Sequence, residues 1–180
     1  VSMNSVDDNG LGISLIQSNF YGIGSRIGVG NYGFFLHNRG CGFNLIKGHP
    51  NSLGPNKKPL HTLSPTIWSK NGSLDFITGT RGGRYQPQLL AQTILPYLLG
   101  ESSFEEIMKK PRWTIEYFGS NTSSNIKFEF IKESEVSSLL DKGHQISIEN
   151  KLIGGYGPIS TIYKNSDGNF IGVSDIRVGT

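Results

Sequence analysis

Residues 58–83 constrain the fold most. The run Ile77-Thr78-Gly79-Thr80 stops on Arg81-Gly82-Gly83-Arg84, and helical spacing follows at once. A strand, a glycine pair and a helix in succession make a turn whose backbone N–H groups can gather around a developing negative charge. A plain turn has the same pattern, so other parts of the chain must decide. Ahead of the glycines, KPLHTLSPTI (residues 58–67) leads into expected strands at 66–70 and 74–80, joined by Asn71-Gly72.

The flanking segments suggest layers. Residues 1–6 and 11–18 read as two strands joined by Asp7-Asp8-Asn9-Gly10, with Leu11, Ile13 and Leu15 on one face. A glycine-rich crossing at residues 21–33 follows. It leads to another strand, 34–37, and so lacks the strand-to-helix context of a dinucleotide fingerprint. Residues 48–59 read as a surface loop. Helical spacing at 86–99 carries Leu89, Leu90, Ile94 and Leu98, with Pro96 kinking or ending it. Short helices are expected at 103–110, capped by Ser103, and at 134–141, capped by Ser134. Strands are expected at 114–118, 126–131, 145–150, 160–163 and 170–173. Strands, then helices, then strands predict an α+β layered fold rather than alternating βαβ units.

Composition bears on whether the core is self-sufficient. Only 36% of the 180 residues are hydrophobic, and 24 are glycine, so another chain is expected to complete the core. The +3 charge is scattered and its longest basic runs are pairs, which argues against nucleic acid. No run reaches the roughly 18 apolar residues of a membrane span. Val1 opens directly in a strand-like run without an initiator methionine or leader, so release by proteolysis or excision is expected. The compartment, cytoplasmic or exported, would follow from a precursor's N-terminus.

Several chemistries are disfavoured. His37, His49, His61 and His144 lack metal-ligand spacing, and the single cysteine excludes a disulfide framework. No Gly-x-Ser-x-Gly elbow marks a nucleophilic serine. Cys41, between two glycines, reads as a small buried residue before a reactive thiol. Asn71-Gly72-Ser73 and Asn121-Thr122-Ser123 fit a glycosylation triplet that is common by chance. Arg39, Arg81 and Arg84 lie in glycine-rich loops at strand ends, where an arginine fork suits a carboxylate.

PLHTLSPTI (59–67), GTRGG (79–83), QPQ (86–88) and KPRW (110–113) stand in one order between VSMNSVDDNGLGISLIQSN and GVSDIR. Together they resemble the small, catalytic subunit of the γ-glutamyltranspeptidase family across nearly the whole chain. The QSNF and HNRG segments look more like its archaeal and bacterial acylase-like branch than its glutathione-cleaving branch. The resemblance implies an N-terminal-nucleophile hydrolase fold, a four-layer αββα sandwich. Residues 1–180 would be the small subunit of a heterodimer made by self-cleavage, completed by a large subunit from the same precursor. The substrate would be a small-molecule or peptide amide, with no cofactor and no metal.

The implied nucleophile is a threonine whose own α-amine is the base; α-amines titrate at about 7.7–8.0, near working pH. Continuous matching puts that threonine one position before Val1. A one-residue gap in the hairpin would instead put Val1 on it, giving an inactive homologue that binds carboxylated ligands through Arg39 and Arg81. By resemblance, Gly82 and Gly83 form the oxyanion hole and Ser18 holds the nucleophile's side chain. His61 and Thr62 fall where transpeptidases grip the substrate carboxylate with two serines. Arg39 falls on a polar, amine-contacting position, and Asn19 lies one residue from an amine-binding asparagine. Gly42 replaces the aspartate that binds a substrate α-amine, which argues for γ-glutamyl-like or other carboxylated acyl amides over free glutathione. The loop at 48–58 is shorter than a lid-bearing loop, so an open site is expected.

Overall fold

The computed structural model describes residues 1–117 and 124–178, which fall into two compact units. One unit holds Ser2–Ile16 and the described residues from Ser64 onward; the other holds Val1 and Gln17–Leu63.

The first unit is layered. Strands β1 (Ser2–Val6) and β2 (Gly12–Ile16) form an antiparallel hairpin. Its turn is held by the Asp7 carboxylate, which accepts the N–H groups of Asn9 at 2.9 Å and Leu11 at 2.8 Å. A second antiparallel sheet has the order β3-β4-β8-β9, from β3 (Thr66–Lys70), β4 (Ser73–Thr80), β8 (Ile159–Lys164) and β9 (Phe170–Ser174). Pairing slips between Trp68 and Ser69 and leaves Asp75 without a partner. That bulge puts Leu74 on the same face as Ile77, and both meet the hairpin at Gly12. Asn4 Nδ2 also donates to the Ser160 carbonyl at 2.8 Å.

The opposite face of this sheet carries Phe76 and Ile159 against helices α1 (Gln86–Leu98) and α2 (Phe104–Ile107). Leu90, Ile94, Phe104, Ile107 and Met108 complete the core. Each such burial stabilises the fold by roughly 1.5–3 kcal/mol. Pro96 sits inside the last turn of α1 without ending it: the helix runs on to Leu98, and Leu99 N still donates to Leu95 O at 3.0 Å. Ser103 caps α2 in a reciprocal box with Glu106, an arrangement worth about 0.5–2 kcal/mol.

A third sheet joins β5 (Trp113–Tyr117), β6 (Ser124–Phe128) and β7 (Gln145–Ile148). Here the chain departs from the expected plan. β6 and β7 are parallel and linked through α3 (Glu133–Asp141), so one crossover unit is present. The cap of α3 also differs: Ser134 is already helical, and Lys132 stands at the cap with no side-chain bond. Glu133 and Glu135 in the first turn favour the helix dipole instead. The QPQ motif is structural. Gln86 Oε1 accepts the Ser64 N–H at 2.9 Å, and Gln88 Oε1 accepts that of Ile115 at 2.9 Å. One turn on, Gln92 both donates to and accepts from the Trp113 backbone, so α1 satisfies an edge of β5.

The second unit contains 3-10 turns at Gly30–Tyr32 and Arg39–Gly42 and an irregular hairpin. The expected strand at 34–37 is reduced to one bridge, Gly28 to Phe35, beside bonds from Leu36 to Ile27 and Val29 to Phe34. Tyr21, Ile23, Ile27, Tyr32, Phe34 and Leu36 are exposed here, while the residues buried are Arg39 and Thr62. Cys41 is exposed rather than buried: the turn that carries Arg39 inward turns its cysteine out. Phe118, expected to end a strand, and the triplet Asn121-Thr122-Ser123 lie outside the described residues.

Candidate active site

The glycine turn follows β4 directly. Gly82 has φ +130° and ψ 13°, and Gly83, which opens the 3-10 turn Gly83–Tyr85, has φ +56°. Side chains strain both conformations, so the sequence needs glycine here. The carbonyls are spent: Gly82 O accepts from Tyr85 N at 3.0 Å, and Gly83 O accepts from Gln86 N. The N–H groups of Gly82 and Gly83 donate to no acceptor among the described residues. They stand at the entry to α1, whose N-terminal dipole adds to their pull on an anion. Exposed Arg81 donates to the Gly154 carbonyl at 3.3 Å.

Behind the turn lies a set of residues the sequence did not mark as functional. Thr80 Oγ1 sits 2.8 Å from both the Arg81 and the Gly157 carbonyl oxygens. Arg112 Nη1 donates to Tyr156 O at 3.0 Å and Gly157 O at 2.9 Å, while its Nη2 pairs with Asp175. Arg177 pairs with Asp175 and Glu129, and Glu129 also accepts the Arg112 and Ile153 N–H groups. Burial alone would raise the Asp175 carboxyl. Arg112, the N–H groups of Ile159 and Arg177, and the Arg177 side chain outweigh it and hold Asp175 below the ordinary carboxylate range. Arg112 was legible only as part of KPRW. Gly157 sits in a run, Gly154-Gly155-Tyr156-Gly157, that reads as an ordinary loop.

In the other unit Ser18, Arg39 and Thr62 come together. Arg39 is 7% exposed. Its Nη1 donates to Thr62 Oγ1 at 3.2 Å, its Nη2 to Ser18 O at 3.3 Å, and its guanidinium lies 5.3 Å from the Phe20 ring centre. No carboxylate pairs with it among the described residues. Ser18 Oγ accepts the N–H of Phe20 at 3.0 Å, which supports the positive φ of 79° at Phe20. Asn19 joins through its backbone, its carbonyl accepting from Asn38 N at 3.1 Å. His61 is exposed beside buried Thr62. A Cβ at Gly42 would meet Leu60 and Pro59 only at ordinary contact distances, 3.6–3.7 Å. Val1 N donates to Gln17 O at 2.8 Å, and Gln17 N to Val1 O at 2.9 Å.

Among the described residues no group of three His, Cys, Asp or Glu could hold a metal ion, and no helix is long and apolar enough to cross a membrane.

The sequence matches the gamma-glutamyltranspeptidase family over residues 1–180. It is 30% identical to the oxamate amidohydrolase proenzyme of Klebsiella pneumoniae over 178 residues, 98% of this chain and 34% of that protein. The chain thus spans about a third of that relative's length. The fold is similar to a solved gamma-glutamyltranspeptidase of Helicobacter pylori, at TM-score 0.80 and 23% identity, covering 98% of this chain and 99% of that one. It is also similar to a cephalosporin acylase of Bacillus halodurans, at TM-score 0.78 and 27% identity, covering 93% of this chain and 30% of that one.

Proposed function

Because this chain belongs to the gamma-glutamyltranspeptidase family, we propose that it is the catalytic part of a self-processed amidohydrolase or acyltransferase acting on carboxylated acyl amides. The observation that carries this reading is the pair of N–H groups at Gly82 and Gly83 that donate to no acceptor among the described residues. A threonine one position ahead of Val1 is the nucleophile. The β1–β2 register sets Ser2 against Ile16, and Val1 exchanges bonds with Gln17. The next residue back therefore falls opposite Ser18, whose hydroxyl donates to no acceptor among the described residues.

The chemistry balances with these groups. The threonine Oγ attacks the amide carbon and passes its proton to the threonine's own α-amine. The carbonyl oxygen becomes an anion that accepts the N–H groups of Gly82 and Gly83, and losing one such donor typically costs about 2.7–4 kcal/mol of barrier. The α-amine returns the proton to the leaving nitrogen, the C–N bond breaks, and an ester remains. Water, or an acceptor amine, then attacks the ester and gives its proton to the α-amine; the ester C–O bond breaks, the proton passes to the threonine Oγ, and the acyl product leaves the regenerated enzyme.

Arg39 supplies the carboxylate anchor. A nearly buried guanidinium with no carboxylate partner among the described residues favours an anionic ligand. Thr62 adds a hydroxyl beside Arg39, His61 and Asn19 adjoin Thr62 and Ser18 in the same unit, and Arg81 flanks the glycine turn in the other unit. Gly42 offers no carboxylate to a substrate ammonium group, so acyl groups without a free α-amine are preferred.

A four-layer αββα sandwich fits the same reading. One face of β1–β2 is taken by the larger sheet, while Met3, Leu11, Ile13 and Leu15 on the other remain exposed. The rest of a precursor, its large subunit, covers them.

Expression of the full precursor tests the proposal. The expected result is self-cleavage to a chain beginning with threonine ahead of Val1, followed by amine release from a glutaryl anilide faster than from its γ-glutamyl counterpart. A precursor that stays intact and binds carboxylates without turnover would overturn it.

A further inference from the structure

We propose that Thr80 and Gly157, anchored by Arg112, are positioning residues that aim the Gly82 N–H of the oxyanion site; this rests on the acyl-transfer reading above. The carbonyl of Arg81 and the N–H of Gly82 are opposite ends of one planar unit, so fixing the direction of the first fixes the second. Thr80 Oγ1 lies 2.8 Å from that carbonyl and is itself fully buried. The restraint is needed because the two glycines that follow are the freest backbone points available to a chain.

Thr80 is held in turn. Its single hydroxyl proton is shared between Arg81 O and Gly157 O, also 2.8 Å away, and Arg112 Nη1 grips Gly157 O from its own side at 2.9 Å. Gly157 has φ +50°, and a Cβ there would overlap Arg81 O and Thr80 Oγ1 and come within 2.7 Å of Leu89 Cδ1. Bare backbone at 157 therefore lies directly behind the Arg81–Gly82 peptide. Arg112 is 3% exposed and neutralised by Asp175, which also accepts the Ile159 N–H at 3.0 Å. The anchor thus ties the glycine turn to the start of β8. None of these side chains has a reacting role in the proposed chemistry. Their buried contacts converge on the Arg81–Gly82 peptide, one of the two whose orientation that chemistry requires.

The test compares Thr80→Val, which keeps shape and strand propensity but loses the hydroxyl, with Thr80→Ser, which keeps the hydroxyl. Glutaryl and γ-glutamyl p-nitroanilides are assayed per mole of processed enzyme. Thr80→Val should lower kcat by about 10- to 100-fold with KM nearly unchanged, as expected when a donor is displaced rather than removed. Thr80→Ser should recover most of it. Hydrogen exchange at residues 81–85, read on precursor and processed enzyme alike, should speed up in Thr80→Val while β8 stays protected. Unchanged kcat, a loss confined to KM, a serine variant no better than valine, or unchanged exchange at 81–85 would each overturn the proposal. Faster exchange at 81–85 in a protein with no wild-type turnover would uphold the positioning role and remove the acyl-transfer reading instead.

Discussion

Replacing Arg39 with methionine should separate carboxylate recognition from catalysis. The arginine is 7% exposed, and its two hydrogen bonds, at 3.2 and 3.3 Å, go to the neutral oxygens of Thr62 and Ser18. Both are long for N–H···O bonds and use two of five guanidinium donors, so the rest can meet a ligand. Truncating one partner of a desolvated, hydrogen-bonded charge pair costs about 2–5 kcal/mol. We take the lower part of that range. A loss of about 2–3 kcal/mol is roughly 30- to 150-fold in kcat/KM, at about 1.4 kcal/mol per factor of ten. The assay is a cycle over enzyme and substrate: wild type and Arg39→Met, each with a glutaryl anilide and with the butyryl anilide that lacks the carboxylate. The charged donor should lose the full factor and the neutral donor about threefold at most. Equal losses on both donors would refute the reasoning, because they would mean that Arg39 only holds its loop together.

Other outcomes follow from the same contacts. Gly42→Asp meets no steric obstacle at its Cβ and should move the donor preference toward γ-glutamyl anilide, read as the ratio of the two kcat/KM values. Asp175→Asn leaves Arg112 buried without its counter-charge and should cost about 3–5 kcal/mol in denaturant unfolding at neutral pH. The folded Asp175 pKa is depressed, so its stabilisation is present above the ordinary carboxylate value near ~4 and is lost as pH falls through the folded value. Wild-type Tm should therefore drop below about pH 4, and the drop should be shallower in Asp175→Asn. Ile13→Glu, on the exposed hairpin face, should weaken retention of the remainder of the precursor in size-exclusion runs, without loss of β1–β2 register.

The local elements were readable where short-range chemistry sets them. Asn71-Gly72 marked its hairpin, Ser103 with Glu106 marked a capped helix, and the apolar spacing of Leu89, Leu90 and Ile94 marked the face of α1 that enters the core. The helix start at Glu133 was missed, because Ser134 has the chemistry of a cap whether or not the backbone places it there. The parallel partnership of β6 and β7 was missed because spacing within a strand says nothing about the direction of its neighbour.

The same division runs through the candidate site. Gly82 and Gly83 could be found from the sequence, since only glycine takes their backbone angles without strain and the strand-to-helix setting surrounds them. Arginine type and loop position made Arg39 a candidate, but its burial against Thr62 and Ser18 depends on residues about twenty positions away on either side. Thr80, Arg112, Gly157 and Asp175 span almost a hundred residues, and each looks ordinary in its own stretch. The sequence by itself determined which segments turn, cap and alternate, because those preferences act over a few bonds. Only the tertiary structure decided which buried charges and carbonyls meet behind the glycine turn, because desolvation and hydrogen-bond partnership exist only once distant segments pack together.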